Sequence, residues 1–175
     1  LRLMRRPMIG EFLDIGTGTG RLLELFAGQA VRCMGIDLSH EMLAIARARM
    51  EELELRNCQV RHADMYRLPF PSASFDSVNV NQVLHFADDP AAALREAARV
   101  MRSKARLAVV DFLPHNLEAL RETHAHRRLG FSVDEVRGWL TAVGLKPLPV
   151  TELAGDPLTV CVWGAEVPYT GNTAP

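Results

Sequence analysis

The sequence predicts an α/β fold: a doubly wound, mostly parallel sheet of seven strands whose last strand is antiparallel. Segments with the pattern of strands and of helices alternate along most of the chain. The first strand passes through a glycine-rich turn directly into a helix. The two closing strands are separated only by residues 154–157, a turn short enough to make them antiparallel. With 175 residues, 48% of them hydrophobic, the chain fits one globular domain with a substantial core.

Seven segments have the apolar composition and the length of strands. They cover residues 9–15, 31–36, 59–62, 75–80, 107–112, 146–151 and 158–163. Between them apolar side chains recur at helical spacing, and capping residues mark helix starts at Ser39, Asp89 and Ser132. Pro90 follows Asp89 at the first helical position, which favours a helix start there. We expect a further helix over residues 116–129.

The glycine turn after the first strand has the composition of a ligand cradle. Gly16, Gly18 and Gly20 let backbone N–H groups approach a ligand, and the positive end of the next helix points to the same place. A dinucleotide fingerprint needs its third glycine at the position of Arg21, so the spacing disfavours NAD. Glycines also occur in strand-to-helix turns for steric reasons alone, so the turn needs support from other residues.

Polar residues end the first four predicted strands, at the edge of a parallel sheet where ligands bind. They are Asp14, Asp37, Asp64, Asn81 and Gln82. Asp37 lies 17 residues beyond Gly20, where a carboxylate can accept hydrogen bonds from ribose hydroxyls. Asp64 suits the exocyclic amine of an adenine, and Met65 suits packing on its ring. These residues predict a nucleoside-containing ligand at this edge.

Taken together, the segments resemble the class I S-adenosylmethionine-dependent methyltransferases from about residue 9 to residue 163. The matching stretches are 13–20, 35–39, 64–65 with 68–70, 75–76 with 82–85, and 97–101. The resemblance implies a Rossmann-like methyltransferase fold with strand order 3-2-1-4-5-7-6, S-adenosylmethionine as cofactor and S-adenosylhomocysteine as product. It also implies the site residues. The methionine part would contact Asp14, Gly16, Thr17, Gly18 and Gly20, the ribose Asp37, the adenine Asp64 and Met65, and the methyl group Asn81 and Gln82, with Leu38 and Met42 completing the set.

The sequence departs from that family in two places. Residues 102–106 replace the usual proline and glycines before strand five, which leaves that turn undefined. The helix that normally precedes strand one and closes over the cofactor has no counterpart in residues 1–8, and we expect a lid to be absent or to come from outside this chain. We expect residues 1–8 to be a leader or fragment end, residues 9–165 the methyltransferase domain, and residues 166–175 a flexible tail.

A narrower resemblance concerns residues 110–115 and 122–131. These stretches look like the methyltransferase domains fused behind ArsR-type winged-helix regulators in bacteria. On that hypothesis a DNA-binding domain precedes the present chain.

Two histidines are candidate catalytic residues. His85 and His115 follow strands four and five, where a substrate would approach, and either could take a proton from a weak nucleophile. Methyl transfer depends mostly on positioning, so both also fit ordinary loop or cap histidines. Arg127 and Arg128 fit either a clamp for an anionic substrate or a solvated helix end.

No metal site is expected. His124 and His126 would not share a helix face, and no third ligand follows at a fixed spacing. The three cysteines, Cys33, Cys58 and Cys161, are far apart and form no C-x-x-C pair, so we predict buried reduced thiols.

Charge and targeting signals restrict the class of partner. The net charge of −1 gives no basic surface for nucleic acid, and no segment has the pattern of a signal peptide or a membrane span. We therefore expect a cytoplasmic enzyme that transfers a methyl group from S-adenosylmethionine to a small-molecule acceptor, in an oligomeric state that the sequence leaves open. The alternatives are a domain that senses S-adenosylmethionine or S-adenosylhomocysteine for an attached regulator, and, disfavoured by Arg21, an NAD-dependent enzyme.

Overall fold

The computed structural model describes residues 9–124 and 126–169, which form one eight-stranded sheet with helices packed against it. The strands are β1 (Glu11–Ile15), β2 (Arg32–Asp37), β3 (Cys58–His62), β4 (Phe75–Asn81), β5 (Met101–Phe112), β6 (Lys146–Pro147), β7 (Thr151–Leu153) and β8 (Val160–Glu166). The helices are α1 (Arg21–Phe26), α2 (His40–Glu52), α3 (Pro90–Val100), α4 (Ala119–His124) and α5 (Val133–Ala142), with a short 3-10 helix over Leu84–Phe86.

The strand order is β3-β2-β1-β4-β5-β8-β6, with β7 pairing with β8. Strands β1 to β5 pair in parallel, and β8 pairs antiparallel with β5. The predicted doubly wound topology and the antiparallel last strand are confirmed. The order changes direction between β1 and β4, and the carboxyl ends of these two strands therefore border the crevice in which this class of sheet binds ligands.

The sixth predicted strand, residues 146–151, is two short strands, β6 and β7, so the sheet has eight strands instead of seven. Pro147 and Pro149 have no N–H to donate to β8, and this breaks the ladder between the two pieces. Leu148 keeps the segment against β8 by donating its N–H to the Gly164 carbonyl at 2.8 Å.

Strand β5 begins at Met101, immediately after α3, and includes the predicted turn 102–106. Lys104 adopts a left-handed φ of 63°, and the register between β4 and β5 shifts between Phe75 and Ser77. The family has a turn before strand five, whereas in this chain the irregular backbone lies within β5 itself.

The helix expected over residues 116–129 is confined to α4, six residues long. Its predicted last turn does not form, because the N–H groups of Arg127 and Arg128 both donate to the carbonyl of His85 instead of to a helical carbonyl. A long-range contact thus overrides the local helical pattern.

The predicted caps of the longer helices are confirmed. Ser39 accepts from the N–H of Met42, the side chain of Asp89 from that of Ala92, and Ser132 from that of Glu135. Within the described residues, no helix combines the length and the apolar character needed to cross a membrane.

Helices cover both faces of the sheet and bury two hydrophobic clusters. One cluster includes Leu23 and Met50 from α1 and α2, and the other includes Leu94 and Leu140 from α3 and α5. Cys33, Cys58 and Cys161 are buried and free, as predicted. The core therefore fixes the helices that carry the glycine turn and the strand ends.

Part of the predicted tail is paired with the sheet. Glu166 ends β8, and Val167 donates its N–H to the carbonyl of Ala105 at 2.9 Å. The rest of that prediction over residues 170–175, and the predicted leader at residues 1–8, lie outside the described residues.

Candidate cofactor site

A cavity of about 320 Å³ lies at the carboxyl ends of the first strands of the sheet. Four of the residues predicted to bind a cofactor line it: Gly16, Asp37, Leu38 and Met65. They come from β1, β2 and β3 and the segments after them, which the parallel pairing brings to one edge. The parallel pairing therefore brings these four predicted residues to one cavity.

Asp37 connects the glycine turn to β2. Its Oδ2 accepts the N–H of Gly18 at 2.8 Å, and its Oδ1 accepts the N–H of Ser39 at 2.8 Å. The turn is also held by the N–H groups of Gly16 and Thr17, which donate to the carbonyl of Ile36 at 2.9 and 2.8 Å. Each carboxylate oxygen has a second lone pair, so Asp37 retains the capacity to accept hydroxyl groups.

The first two glycines of the turn meet different surroundings. Gly16 has φ +74°, and a Cβ there would lie 2.6 Å from Cγ2 of Val83. Gly18 has φ +53°, but a Cβ there would meet nothing within 4 Å. Gly16 is thus required by backbone conformation and by packing, whereas Gly18 leaves open space beside its N–H bond to Asp37.

Two further predicted residues lie beneath the turn instead of in the cavity wall. Asp14 is 1% exposed, and its Oδ1 accepts from the side-chain amide of Asn79 at 2.8 Å. Burial raises the pKa of Asp14 to about 6, against the opposing effect of the Asn79 hydrogen bond. Thr17 is buried beside Gly35. Both residues support the turn from below.

Gly20 and Met42 also fall outside the described wall. Gly20 immediately precedes α1, and a Cβ there would lie 3.1 Å from Cε of Met50 on α2, so this glycine allows the two helices to pack closely. Met42 is on the outer side of α2 and 39% exposed.

At the β3 end, Met65 lines the cavity, while Asp64 forms a local turn. The carboxylate of Asp64 accepts the N–H of Tyr66 at 2.9 Å. The Tyr66 hydroxyl accepts the N–H of Asp89 at 3.2 Å and so joins this loop to the start of α3.

At the β4 end, the side chains of Asn81 and Gln82 do not line the described cavity, but that of Val83 does. Gln82 adopts a left-handed φ of 51°, uncommon for a residue other than glycine, and its N–H donates to the carbonyl of Val110 at 2.7 Å. Such conformations concentrate at functional sites.

His85, the first catalytic candidate, is paired with a carboxylate that the sequence analysis did not single out. Its Nδ1 lies 2.8 Å from Oδ1 of Asp111, whose Oδ2 accepts the backbone N–H of His85 at 3.2 Å. His85 is 3% exposed and Asp111 is fully buried. The imidazole stacks on His126 with ring centroids 4.0 Å apart and contacts Phe86, which lines the cavity. The ring of His85 therefore lies one side chain behind the cavity wall.

His115, the second candidate, has a different environment. Its Nδ1 accepts the N–H of Leu117 at 3.3 Å, and burial lowers its pKa. A neutral ring whose Nδ1 accepts carries its proton on Nε2. His115 is therefore arranged as a donor at Nε2, whereas in His85 it is Nδ1 that is bound, to Asp111. The side chain of His124 lies outside the described residues.

Besides Arg127, the wall contains residues that the sequence did not indicate, among them Tyr66, Val83, Phe86 and Asp88. Tyr66, Val83 and Phe86 adjoin predicted site residues and Asp88 lies three positions after His85, so extending each motif by a few positions would have found them. For Arg127 the sequence offered a solvated helix end or an anion clamp, and nothing local places it beside the cavity. Asp111 ends a strand next to β4, and that position was the signal available for it.

Comparison with known proteins defines the class of this domain. Residues 13–109, more than half of the chain, match the family model described as a methyltransferase domain. The chain therefore belongs to this methyltransferase family, whose methyl donor is S-adenosylmethionine.

Individual relatives agree with that family. The chain is 33% identical over 99 residues to the uncharacterized methyltransferase YcgJ of Bacillus subtilis, an alignment that covers 57% of this chain and 39% of the relative. It is 35% identical over 147 residues to 27-O-demethylrifamycin SV methyltransferase of Amycolatopsis mediterranei, covering 78% of this chain and 54% of that protein. The chain thus spans about half or less of the length of these curated relatives.

Solved structures share the fold. The crystal structure of YcgJ from Bacillus subtilis superposes with a TM-score of 0.79 at 21% identity, covering 94% of both chains. The [4+2]-cyclase SpnF superposes with a TM-score of 0.83 at 19% identity, covering 95% of this chain and 79% of that one. One fold thus supports more than one type of chemistry, and the reaction has to be argued from the site.

Proposed function

We propose that this chain binds S-adenosylmethionine in the described cavity and transfers its methyl group to a small-molecule acceptor. The observation that carries the proposal is the placement of Asp37, which faces the cavity from the end of β2 while its carboxylate holds the glycine turn. A volume of about 320 Å³ lies within the range of roughly 300–1,000 Å³ usual for small-molecule sites.

The residues that line the cavity have the chemistry needed to bind a nucleoside. Asp37 would accept the ribose hydroxyls, and Met65 would pack on the adenine, with Asp64 near the exocyclic amine and Leu38 at the rim. Gly16, Gly18 and Gly20 would hold the methionine part, with Asp14 and Thr17 supporting the turn. Asn81 and Gln82 would border the transferable methyl group, since they follow β4 beside the end of β1.

Bound S-adenosylmethionine would supply an electrophilic methyl carbon on a sulfonium. That carbon would accept a lone pair of the acceptor in exchange for its C–S bond, with the thioether S-adenosylhomocysteine as the leaving group. The protein contributes in-line positioning and, for an acceptor that loses a proton, a base. His85 is the better candidate of the two histidines, because Asp111 binds its Nδ1 and would leave Nε2 as the ring nitrogen that takes a proton, from an acceptor that reaches the ring past Phe86.

A small-molecule acceptor is supported by the relative named for a demethylrifamycin and by the chain's net charge of −1, which offers no excess of basic residues for nucleic acid. A cytoplasmic location and the absence of direct nucleic-acid contact stay predictions.

Calorimetry with S-adenosylmethionine, S-adenosylhomocysteine and NAD tests the ligand. We expect both sulfur ligands to bind and NAD to fail, and binding of neither sulfur ligand would overturn the proposal. Transfer of labelled methyl to a panel of small phenols, amines, thiols and carboxylic acids tests the reaction. Tight binding without transfer to any acceptor would favour the sensing alternative.

The narrower resemblance, to domains fused behind ArsR-type regulators, also stays a prediction. It rests on residues 110–115 and 122–131, and the gene sequence upstream of this chain tests it. A winged-helix pattern there would support it, and a different upstream domain would exclude it.

A further inference from the structure

An ion pair lies in the wall of the cavity between two segments that are distant in sequence. Asp88 follows the 3-10 helix, Arg127 follows α4, and the two residues are 39 positions apart. Both line the cavity, and the guanidinium of Arg127 donates to the carboxylate of Asp88. The side chains are 60% and 68% exposed for Arg127 and Asp88, so the pair lies where the cavity meets solvent.

The backbone of Arg127 is fixed from both sides. The N–H groups of Arg127 and Arg128 donate to the carbonyl of His85 at 2.9 and 3.1 Å. The guanidinium of Arg121 donates to the carbonyl of Arg127 at 2.6 Å. His85 is in turn fixed to Asp111 on β5, so the segment that carries Arg127 is connected to the sheet.

The Asp88 side is held as well. The N–H of the next residue, Asp89, donates to the Tyr66 hydroxyl, and Arg128 reaches the carbonyl of Asp88 at 3.4 Å. Both backbones are held by bonds other than the ion pair, so forming the pair orders only the two side chains.

The pair completes one side of the cavity. Gly16, Asp37 and Met65 form the side built from β1, β2 and β3, and Phe86, Asp88 and Arg127 form the side built from the segments after β4 and α4. A ligand between these two sides is enclosed by groups that belong to separate parts of the chain.

We propose that Asp88 and Arg127 are positioning residues that retain the cofactor, because their ion pair holds together the two segments that form this side of the cavity. This inference rests on the proposed cofactor site. An exposed ion pair with a purely structural role would add at most a little to folding stability and would leave ligand release unchanged.

S-adenosylhomocysteine is the probe, so no acceptor has to be known. Its dissociation rate is measured by surface plasmon resonance on the immobilised full chain, for the wild type, Asp88→Asn, Arg127→Gln and the reversed pair Asp88→Arg with Arg127→Asp. Lys146→Gln is the matched control, since Lys146 pairs with Glu166 on the sheet edge at the opposite end of β5 from the site. Urea unfolding of each variant verifies that the fold is retained.

We expect each single substitution to accelerate release about threefold to tenfold, the reversed pair to restore a rate close to that of the wild type, and the control to have no effect. Raising the salt from about 0.05 M to about 0.5 M should accelerate release from the wild type and leave Asp88→Asn unchanged. Equal rates for wild type and single variants, or fast release from the reversed pair, would overturn the inference. A wild type that binds no S-adenosylhomocysteine would instead overturn the proposed function.

Discussion

Asp111, near the carboxyl end of β5, and His85, in the 3-10 helix after β4, form a buried pair, with Oδ1 of Asp111 2.8 Å from Nδ1 of His85. The same carboxylate accepts the backbone N–H groups of His85 and Phe112, at 3.2 and 2.9 Å. One side chain therefore satisfies three donors and holds the 3-10 helix against the sheet.

Removing this carboxylate should destabilise the fold. In Asp111→Ala the three donors lose their acceptor, and leaving a buried donor unsatisfied costs about 1–3 kcal/mol. We expect the free energy of unfolding, from urea titration, to fall by about 3 kcal/mol or more. Asp111→Asn keeps one carbonyl oxygen and should lose less. An alanine variant as stable as the wild type would contradict the structural role of this pair.

Substitution of the two candidate catalytic histidines, His85 and His115, should affect kcat differently once an acceptor is known. His85→Gln should lower kcat by about a hundredfold or more if Nε2 takes the acceptor's proton, since general bases contribute about 10²–10⁴-fold. His115→Gln should change kcat less than about threefold, because its Nδ1 is already an acceptor for Leu117. The measurement is steady-state transfer of labelled methyl. A larger loss in the His115 variant would reverse the assignment.

The raised pKa of Asp14 predicts how the stability of the protein depends on pH. Its pKa is raised from 3.8 to about 6 in the folded protein, so the folded state binds this proton more tightly than the unfolded state. The wild type should therefore lose stability as pH rises from about 4 to about 6, by at most about 3 kcal/mol from this group.

Asp14→Asn removes that titration and keeps an acceptor for Asn79. Relative to the wild type, the variant should gain stability between pH 4.5 and pH 7.5, as measured by urea unfolding at about these two values. A difference between the two proteins that is independent of pH would show that the carboxyl is not perturbed.

Asp37→Ala should weaken binding of S-adenosylhomocysteine at least tenfold, about 1.4 kcal/mol, because it removes the proposed ribose acceptor and releases the N–H of Gly18. Asp37→Asn should lose less, since an amide oxygen remains. Glu51→Ala, an exposed acidic residue near the far end of α2, is the control. Calorimetry gives the affinities, and an unchanged affinity in the alanine variant would show that the ribose assignment is wrong.

Two glycines of the turn, Gly16 and Gly18, should differ in how much stability is lost when each is replaced by alanine. Gly16→Ala should cost more stability than Gly18→Ala, because only the first adds a clash with Val83 to the strain of a positive φ. We expect a difference of about 1–3 kcal/mol in urea unfolding. Equal losses in both variants would mean that the contact with Val83 relaxes freely.

Much of the fold followed from local patterns. Alternating strands and helices, caps at Ser39, Asp89 and Ser132, and the short turn before β8 predicted the topology, because each depends on neighbours in sequence. The prediction of a helix beyond residue 124 was wrong, because the carbonyl of His85, about 40 positions away, accepts the N–H groups of Arg127 and Arg128.

For the site, the sequence by itself determined the glycine turn, Asp37 and Met65, since parallel strands bring their carboxyl ends to one edge whatever the details of packing. Only the tertiary structure decided that Asp14 lies beneath the turn, that Asp111 holds His85, and that Arg127 meets Asp88 at the cavity. These relationships join residues about 25 to 65 positions apart. They depend on burial and on side-chain contacts across elements, which no local pattern encodes.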